Sequence, residues 1–460
     1  MREYQIYLSF WDIVLPPLYL LIILIFGYFY QQSKIRKHPE YKYFLKGLVL
    51  KIFGGIAFAC IYLFYYDGGD TTLYYDSCLS LLNMAGVSLT KFLGILAGNL
   101  TAENKSLFSN ETGWPYYYND FQSYSVVRFS SLFVFLGARS FITATILVSS
   151  LTYLGMWQLF KMLYNQFKES QKSTAFALLF IPSTIFWGSG ILKDSYTLMA
   201  ACLMVVSLYK IFVYKQRVYL NVLLLIVSFY ILVSLKPYIF FAIMAAFVVA
   251  MSHQYIKVIK NKVVKTFFVP VIIVLVVGIG AQVMIAVGES VGGQYRSVDM
   301  LLYKASATQL DLTQSYYHGN SFDIGKFEPT VPGVLSKAPV AIMAGLYRPY
   351  LWDSRNPVML ISALENSLYL GLTLYLLLLS FIAWRKKGLK FLGKILFYDS
   401  FIVFSLTFAL LFSFSVGIST ANFGALVRYK IPLIPFFLTT LFFLISNFNR
   451  EKATINKLTE

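Results

Sequence analysis

Three carboxylates crowd one short stretch, Tyr66-Asp67-Gly68-Gly69-Asp70-Thr71-Thr72-Leu73-Tyr74-Tyr75-Asp76, directly after a long apolar block. The glycine pair allows a sharp turn. A carboxylate held there can act as a general base or bind a metal-diphosphate. That makes Asp70 and Asp76 candidate catalytic groups. Asp67 and Asp70 are the pair to hold a divalent cation such as Mg or Mn, if one is used. The plain alternative is a solvated turn in which Asp70 caps the next helix. Four further stretches carry cations. Trp187-Gly188-Ser189-Gly190-Ile191-Leu192-Lys193-Asp194-Ser195 is a tight turn between apolar runs, where Lys193 and Asp194 either meet a substrate or snorkel and cap. Ser234-Leu235-Lys236-Pro237-Tyr238 places Lys236 to meet phosphate or to anchor at an interface. Leu346-Tyr347-Arg348-Pro349-Tyr350-Leu351-Trp352-Asp353 offers an arginine fork for phosphate oxygens beside a flat ring on which a sugar can stack, and Glu365 follows inside an apolar run. Asn422 to Lys430 brings Arg428 and Lys430, which either neutralise a lipid phosphate or anchor the chain.

The elements that must position these residues follow from hydropathy. The chain has 460 residues, of which 58% are hydrophobic and 13% charged. Soluble domains carry about 25% charged residues. The apolar residues also come in blocks such as Ile13–Phe29, Leu48–Tyr65, Val222–Leu235, Phe267–Val287, Leu360–Ala383 and Leu433–Ile445. A bilayer-crossing helix needs about 20 mainly apolar residues. The expected fold is therefore an all-α, polytopic transmembrane bundle in a single membrane domain of residues 1–460. About eleven spans are expected, at 11–30, 47–66, 139–160, 173–190, 195–213, 217–235, 237–253, 266–287, 360–383, 398–418 and 431–447. Two long outer loops, about 67–138 and 288–358, remain. Tyr74–Leu96 and Ser123–Leu136 have the spacing of helices lying at the interface.

Charge orients the chain. The formal net charge is +18, and a basic chain can bind nucleic acid. Here the cations sit in short connections between apolar blocks, which is the positive-inside pattern and argues against a nucleic-acid partner. Lys34, Arg36, Lys37, Lys42 and Lys46 follow the first span. Lys161, Lys168 and Lys172 make the next cluster, then Lys210, Lys215 and Arg217, then Lys257, Lys260, Lys262 and Lys265. Arg385, Lys386, Lys387, Lys390 and Lys394 come next, and Arg450, Lys452 and Lys457 end the series. All fall on one side of the expected threading, which places the N-terminus outside, the C-terminus in the cytoplasm and every candidate residue on the outer face. The first block is read as a span and not as a cleaved leader. Cys60, Cys78 and Cys202 have no metal spacing, and His38, His253 and His318 are far apart. Asn99, Asn104 and Asn110 head Asn-x-Ser/Thr triplets, which would matter only in a eukaryotic lumen.

An acidic residue in a first outer loop, placed after an early span and followed by interfacial helices, is similar to the layout of the GT-C superfamily of polytopic glycosyltransferases. Asp70 in Gly68-Gly69-Asp70-Thr71 matches that placement, with Asp67 and Asp76 as competitors, and the resemblance covers roughly residues 47–260. The chain departs from it in having an extra N-terminal span and no large C-terminal soluble domain. The segments around Arg348-Pro349 and Arg428 also resemble bacterial membrane proteins of surface-polysaccharide synthesis. The resemblance implies a polyprenyl-phosphate-linked sugar as donor, an envelope acceptor and a bacterial inner membrane. Asp70 would then be the catalytic base or metal ligand, Lys193, Lys236 and Arg428 would hold phosphate, and Arg348 with Trp352 would contact phosphate or sugar. Two other functions compete. A polysaccharide polymerase like those that build O-antigen would lean on arginine in the 288–358 loop. A flippase would need paired charges at mid-bilayer and repeated halves, neither of which is evident.

Overall fold

A computed structural model describes residues 10–256, 297–312, 314 and 321–459. The expected span at 266–287, its basic neighbours Lys257 to Lys265, and His318 lie outside them. Among the described residues the regular structure is all helix, with no strand and one isolated bridge between Ser321 and Asn422. Among the described residues, eight helices are long and apolar enough to cross a membrane, and a ninth candidate is a bent pair. That is a polytopic helical bundle, as the hydropathy requires. The helices group into two compact units. One holds residues 1–162 and 179–236, the other 163–178 and 237–460.

In the first unit, α1 (Phe10–Ile35) and α2 (Phe44–Phe64) are followed by four helices in the 67–138 segment, α3 (Asp70–Val87), α4 (Leu89–Ala97), α5 (Ala102–Ser106) and α6 (Phe121–Leu136). Then come α7 (Phe141–Gln166), α8 (Gln171–Leu179), α9 (Pro182–Phe186), α10 (Lys193–Leu208) and α11 (Val218–Leu235), with α8 mostly outside this unit. Small residues let the spans approach closely, as in other membrane bundles. A Cβ on Gly54 of α2 would collide with Ile185 of α9, and one on Gly155 of α7 would collide with Met199 of α10. The Tyr153 hydroxyl of α7 reaches the Phe44 carbonyl of α2 at 2.8 Å.

The stretch 173–190, expected as one span, is instead broken at Pro182. Proline has no N–H and disfavours helix in the residue before it, and Ile181 is extended accordingly. Lys51, buried in the middle of α2, donates to the Thr184 carbonyl at 2.9 Å and so serves a carbonyl at the end of the short α9. The residues on either side of this stretch nonetheless lie at opposite ends of the first unit. Lys161, near the end of α7, lies over the Tyr41 ring at 5.9 Å and within electrostatic range of Lys210 and Arg217. Lys193 begins the helix that leads to Lys210, about 25 Å away at 1.5 Å per residue. The chain between Lys161 and Lys193 therefore passes from the basic end of the unit to the opposite end.

In the second unit, α12 (Pro237–Ile256), α13 (Val298–Leu312), α14 (Val331–Ser336) and α15 (Ala338–Tyr347) precede α16 (Pro357–Leu396) and α17 (Ser400–Ser419). The bent pair is α18 (Phe423–Tyr429) with α19 (Ile434–Thr459), turned by 70° between Tyr429 and Ile434. Pro432 and Pro435 stand at this turn. α15 and α17 touch backbone to backbone, since a Cβ on Gly345 would strike Ser413 and one on Gly417 would strike Ala341. Gln309 of α13 donates to the carbonyls of Gly417, Ile418 and Thr420, which α17 leaves unbonded at its end. The basic run from Arg385 lies in α16 on both sides of a kink at Gly388, whose φ is 79°.

Candidate functional site

The expected site residues divide between the two units. Asp67, Asp70, Asp76, Lys193, Asp194 and Lys236 belong to the first; Arg348, Trp352, Glu365, Arg428 and Lys430 belong to the second.

In the first unit, the turn after α2 has Asp67 at φ 55°, Gly68 at 111° and Gly69 at 147°, so the glycines occupy backbone that other residues adopt poorly. The turn closes with the Gly69 N–H on the Thr72 hydroxyl at 3.0 Å, and Asp70 opens α3. Asp70 sits within the first turn, where the helix dipole favours a negative charge. The Tyr117 hydroxyl donates to its Oδ1 at 2.9 Å, and the Tyr117 ring rests on Tyr74 with centroids 4.7 Å apart. Trp114 and Tyr116 beside Tyr117 are exposed, as are Tyr65 and Tyr66. Asp76 follows six residues later, about 120° around the helix, so it does not share a face with Asp70. Among the described residues, no three His, Cys, Asp or Glu side chains gather closely enough to hold a metal ion. Asp67 and Asp70 thus have no third ligand of that kind there.

The basic turn is more tightly built than its sequence implies. Asp194 is buried in the first turn of α10, and Lys236 follows the end of α11; Lys236 Nζ donates to Asp194 Oδ1 at 2.5 Å. The charge of Lys236 is therefore matched inside the unit. Lys193 is more open and faces Asp120 at 3.8 Å. Asp120 caps α6 by accepting from the Gln122 and Ser123 N–H groups, and the Ser123 hydroxyl also donates to it. Burial pushes the Asp120 carboxyl up, but the Lys193 charge and these hydrogen bonds hold it below the ordinary value. Arg139, just after α6, donates to Asn83 Oδ1 at 2.8 Å, and its carbonyl accepts the Tyr75 hydroxyl.

In the second unit, Arg348, Glu365 and Lys430 come together. Lys430 is buried and donates to the Arg348 carbonyl at 2.8 Å and to Asn366 Oδ1 at 2.5 Å. Asn366 in turn donates to the Pro349 carbonyl at 3.0 Å, and the Tyr369 hydroxyl donates to buried Glu365 at 3.2 Å. This network holds the segment that carries the Arg348 guanidinium. The guanidinium lies over the rings of both Phe322 and Tyr350, each centroid 5.5 Å away. No carboxylate among the described residues pairs with it. Tyr350 stacks on Trp352, which is 79% exposed. Arg428 is half-buried in the last turn of α18.

Sequence reasoning missed Tyr117, Asp120, Asn366 and Phe322 as partners. Asp120 had a readable signal, because Asn119-Asp120 precedes a helical pattern as a cap does. The others are polar or aromatic residues in stretches rich in both.

The fold and the composition define an integral membrane protein built as an all-α polytopic bundle. The chain matches no protein-family model, no curated protein and no solved structure.

Proposed function

We propose that the chain is a membrane glycosyltransferase. It moves a sugar or glycan from a polyprenyl-phosphate-linked donor to a cell-envelope acceptor on the non-cytoplasmic face. The site of residence we propose is a bacterial inner membrane, with the N-terminus outside and the C-terminus inside. The observation that carries this reading is Asp70. Its carboxylate opens α3 directly after a span, held by Tyr117, at the end of its unit opposite the basic cluster of Lys161, Lys210 and Arg217. By the positive-inside rule the Asp70 end faces away from the cytoplasm. In the reaction, an acceptor hydroxyl oxygen bonds to the anomeric carbon. The bond from that carbon to the phosphate oxygen breaks, and the lipid phosphate leaves with the electron pair. Asp70 takes the proton as the hydroxyl attacks. Trp114 and Tyr116 supply faces for sugar rings, and Lys193 supplies a cation near the departing phosphate.

A second reading is a polysaccharide polymerase, favoured by the Arg348 guanidinium held between Phe322 and Tyr350 with exposed Trp352 beside them. The envelope glycan profile separates the two when Asp70→Asn or Arg348→Ala protein replaces the wild type at equal membrane abundance. Glycan loss with Asp70→Asn alone supports the transferase. Loss with Arg348→Ala alone supports the polymerase. An unchanged profile in both overturns both.

A further inference from the structure

The basic end of the first unit crowds its cations. Lys161 at the end of α7, Lys210 just past α10 and Arg217 before α11 lie within electrostatic range of one another. Arg217 is exposed and the two lysines are half-buried, so the cluster is reachable from the surface. An ordinary run of surface lysines keeps its charges in water, where their repulsion is weak. Half-withdrawn from water, like charges repel more strongly. Buried Glu40 is in range of Lys161, but it also faces His38 at 3.3 Å. Lys210 and Arg217 form no ion pair with a carboxylate among the described residues. One carboxylate against three cations leaves a positive excess, which an anion with several acceptor oxygens would offset.

The backbone holds the cations in place. After Leu208 the chain runs into a π-helical turn, Tyr209–Val213, and the Gln216 N–H then closes on the Lys210 carbonyl at 2.8 Å. The chain thus doubles back and keeps Arg217 near Lys210. Lys215 at φ 51° and Arg217 at φ 45° occupy left-handed backbone, which is costly for residues other than glycine. Buried Asn221 donates its amide to the Gln216 and Arg217 carbonyls, both at 2.9 Å, and so fixes the turn. π turns and strained residues that are held in this way gather at ligand clamps. The neighbouring surface says which anion. Leu220, Leu223 and Val227, exposed at helical spacing, run along α11 away from Arg217, and Tyr219 beside it is 93% exposed. In a membrane bundle such a stripe meets lipid tails, with the aromatic ring at headgroup level. A phosphate at the cluster and tails along the stripe belong to one kind of molecule. We propose that Lys161, Lys210 and Arg217 bind the phosphate of an anionic membrane lipid, whose apolar tails lie along α11. The site is at the end of the unit opposite Asp70 and does not depend on the transferase reading.

Native mass spectrometry of the full chain in detergent tests it, with added dioleoyl phosphatidylglycerol, dioleoyl phosphatidylcholine or inorganic phosphate. The wild type is expected to retain phosphatidylglycerol in preference to phosphatidylcholine, whose choline cancels the phosphate charge. Lys210→Gln and Arg217→Gln are each expected to bind phosphatidylglycerol about fivefold more weakly, the contribution of one cation near a membrane surface. Arg217→Gln guards against misfolding, because its side chain is exposed. Lys390→Gln, which removes an exposed cation of the run in α16, is expected to bind as the wild type does. Equal weakening in Lys390→Gln would make the attraction a property of total charge and overturn the site. Wild-type retention in either Lys210→Gln or Arg217→Gln would overturn it too, as would equal retention of phosphatidylcholine. Inorganic phosphate bound as tightly as phosphatidylglycerol would assign the cluster to a free phosphate and overturn the lipid.

Discussion

At the scale of single residues, the two units use their charges differently. Lys236 and Asp194 form a buried ion pair, whereas Arg348 is held by aromatic rings. Removing one member of a buried pair leaves an uncompensated charge and costs about 3–5 kcal/mol, while replacing both with apolar residues is often neutral. Asp194→Leu is therefore expected to lower the thermal unfolding midpoint in detergent sharply, and Asp194→Leu with Lys236→Met to recover most of that loss. Glycan output from the paired variant should stay near wild type, because Lys236 is committed to Asp194; a folded but inactive pair would make Lys236 a substrate ligand. Asp120 gives a pH signature of definite sign. Its carboxyl lies below the ordinary value in the fold. The stability it contributes is thus complete above the unfolded value of about 3.9 and declines as pH falls through the folded one. Wild type should lose thermal stability on acidification below about pH 4 more steeply than Asp120→Asn, by a small amount because the Lys193 pair is partly solvated. The sequence exposed the residue types here and hid the pairing. Asp194 meets Lys236 from 42 positions away and Arg348 meets Phe322 across the two short helices α14 and α15, and no local pattern encodes either meeting.

At the scale of helices, periodicity and apolar length were enough to place nearly every long element. The outer-loop helices at Tyr74–Leu96 and Ser123–Leu136 were legible in the same way, although the first is two helices parted at Ser88. What hydropathy could not register was the break at Pro182, since the stretch remains apolar on both sides and a window average passes over one proline. It could not register α15 as a partner of α17 either, because α15 has only ten residues. Their contact depends on glycine. With Gly345 and Gly417 facing the backbone of the opposite helix, any side chain must drive the helices apart. Gly345→Leu or Gly417→Leu is expected to cost 1–3 kcal/mol or more, at or above the usual range for overpacking. Thermal unfolding in detergent measures it. Gly371, which has open space around it on the long α16, serves as the control, and Gly371→Leu should leave the midpoint nearly unchanged.

At the scale of the whole molecule, the decisive question is whether the chain crosses between Lys161 and Lys193, because every outer-face assignment after that point depends on it. An eleven-span threading needs the crossing, yet no single long helix supplies it. The first unit answers from its own geometry. α7 brings Lys161 to the end that also holds Lys210 and Arg217, while α10 starts at Lys193 beside Asp120, at the other end. A chain that did not cross could not begin α10 there. The residues between Lys161 and Lys193 therefore join the two ends of the unit, with Lys51 serving the Thr184 carbonyl, and irregular backbone at membrane depth is tolerated where protein buries it. Cysteine labelling of intact cells with a membrane-impermeant thiol reagent checks this directly. In a chain whose Cys60, Cys78 and Cys202 are replaced by serine or alanine, a cysteine at Asp67 or Trp114 should label from outside. One at Lys215, or at Lys168 before the broken stretch, should label only after the membrane is opened. Labelling of Lys168→Cys and Lys215→Cys from opposite sides would mean that 173–190 does not cross, and Lys193 and Asp70 could then no longer share the outer face that the proposed transfer requires.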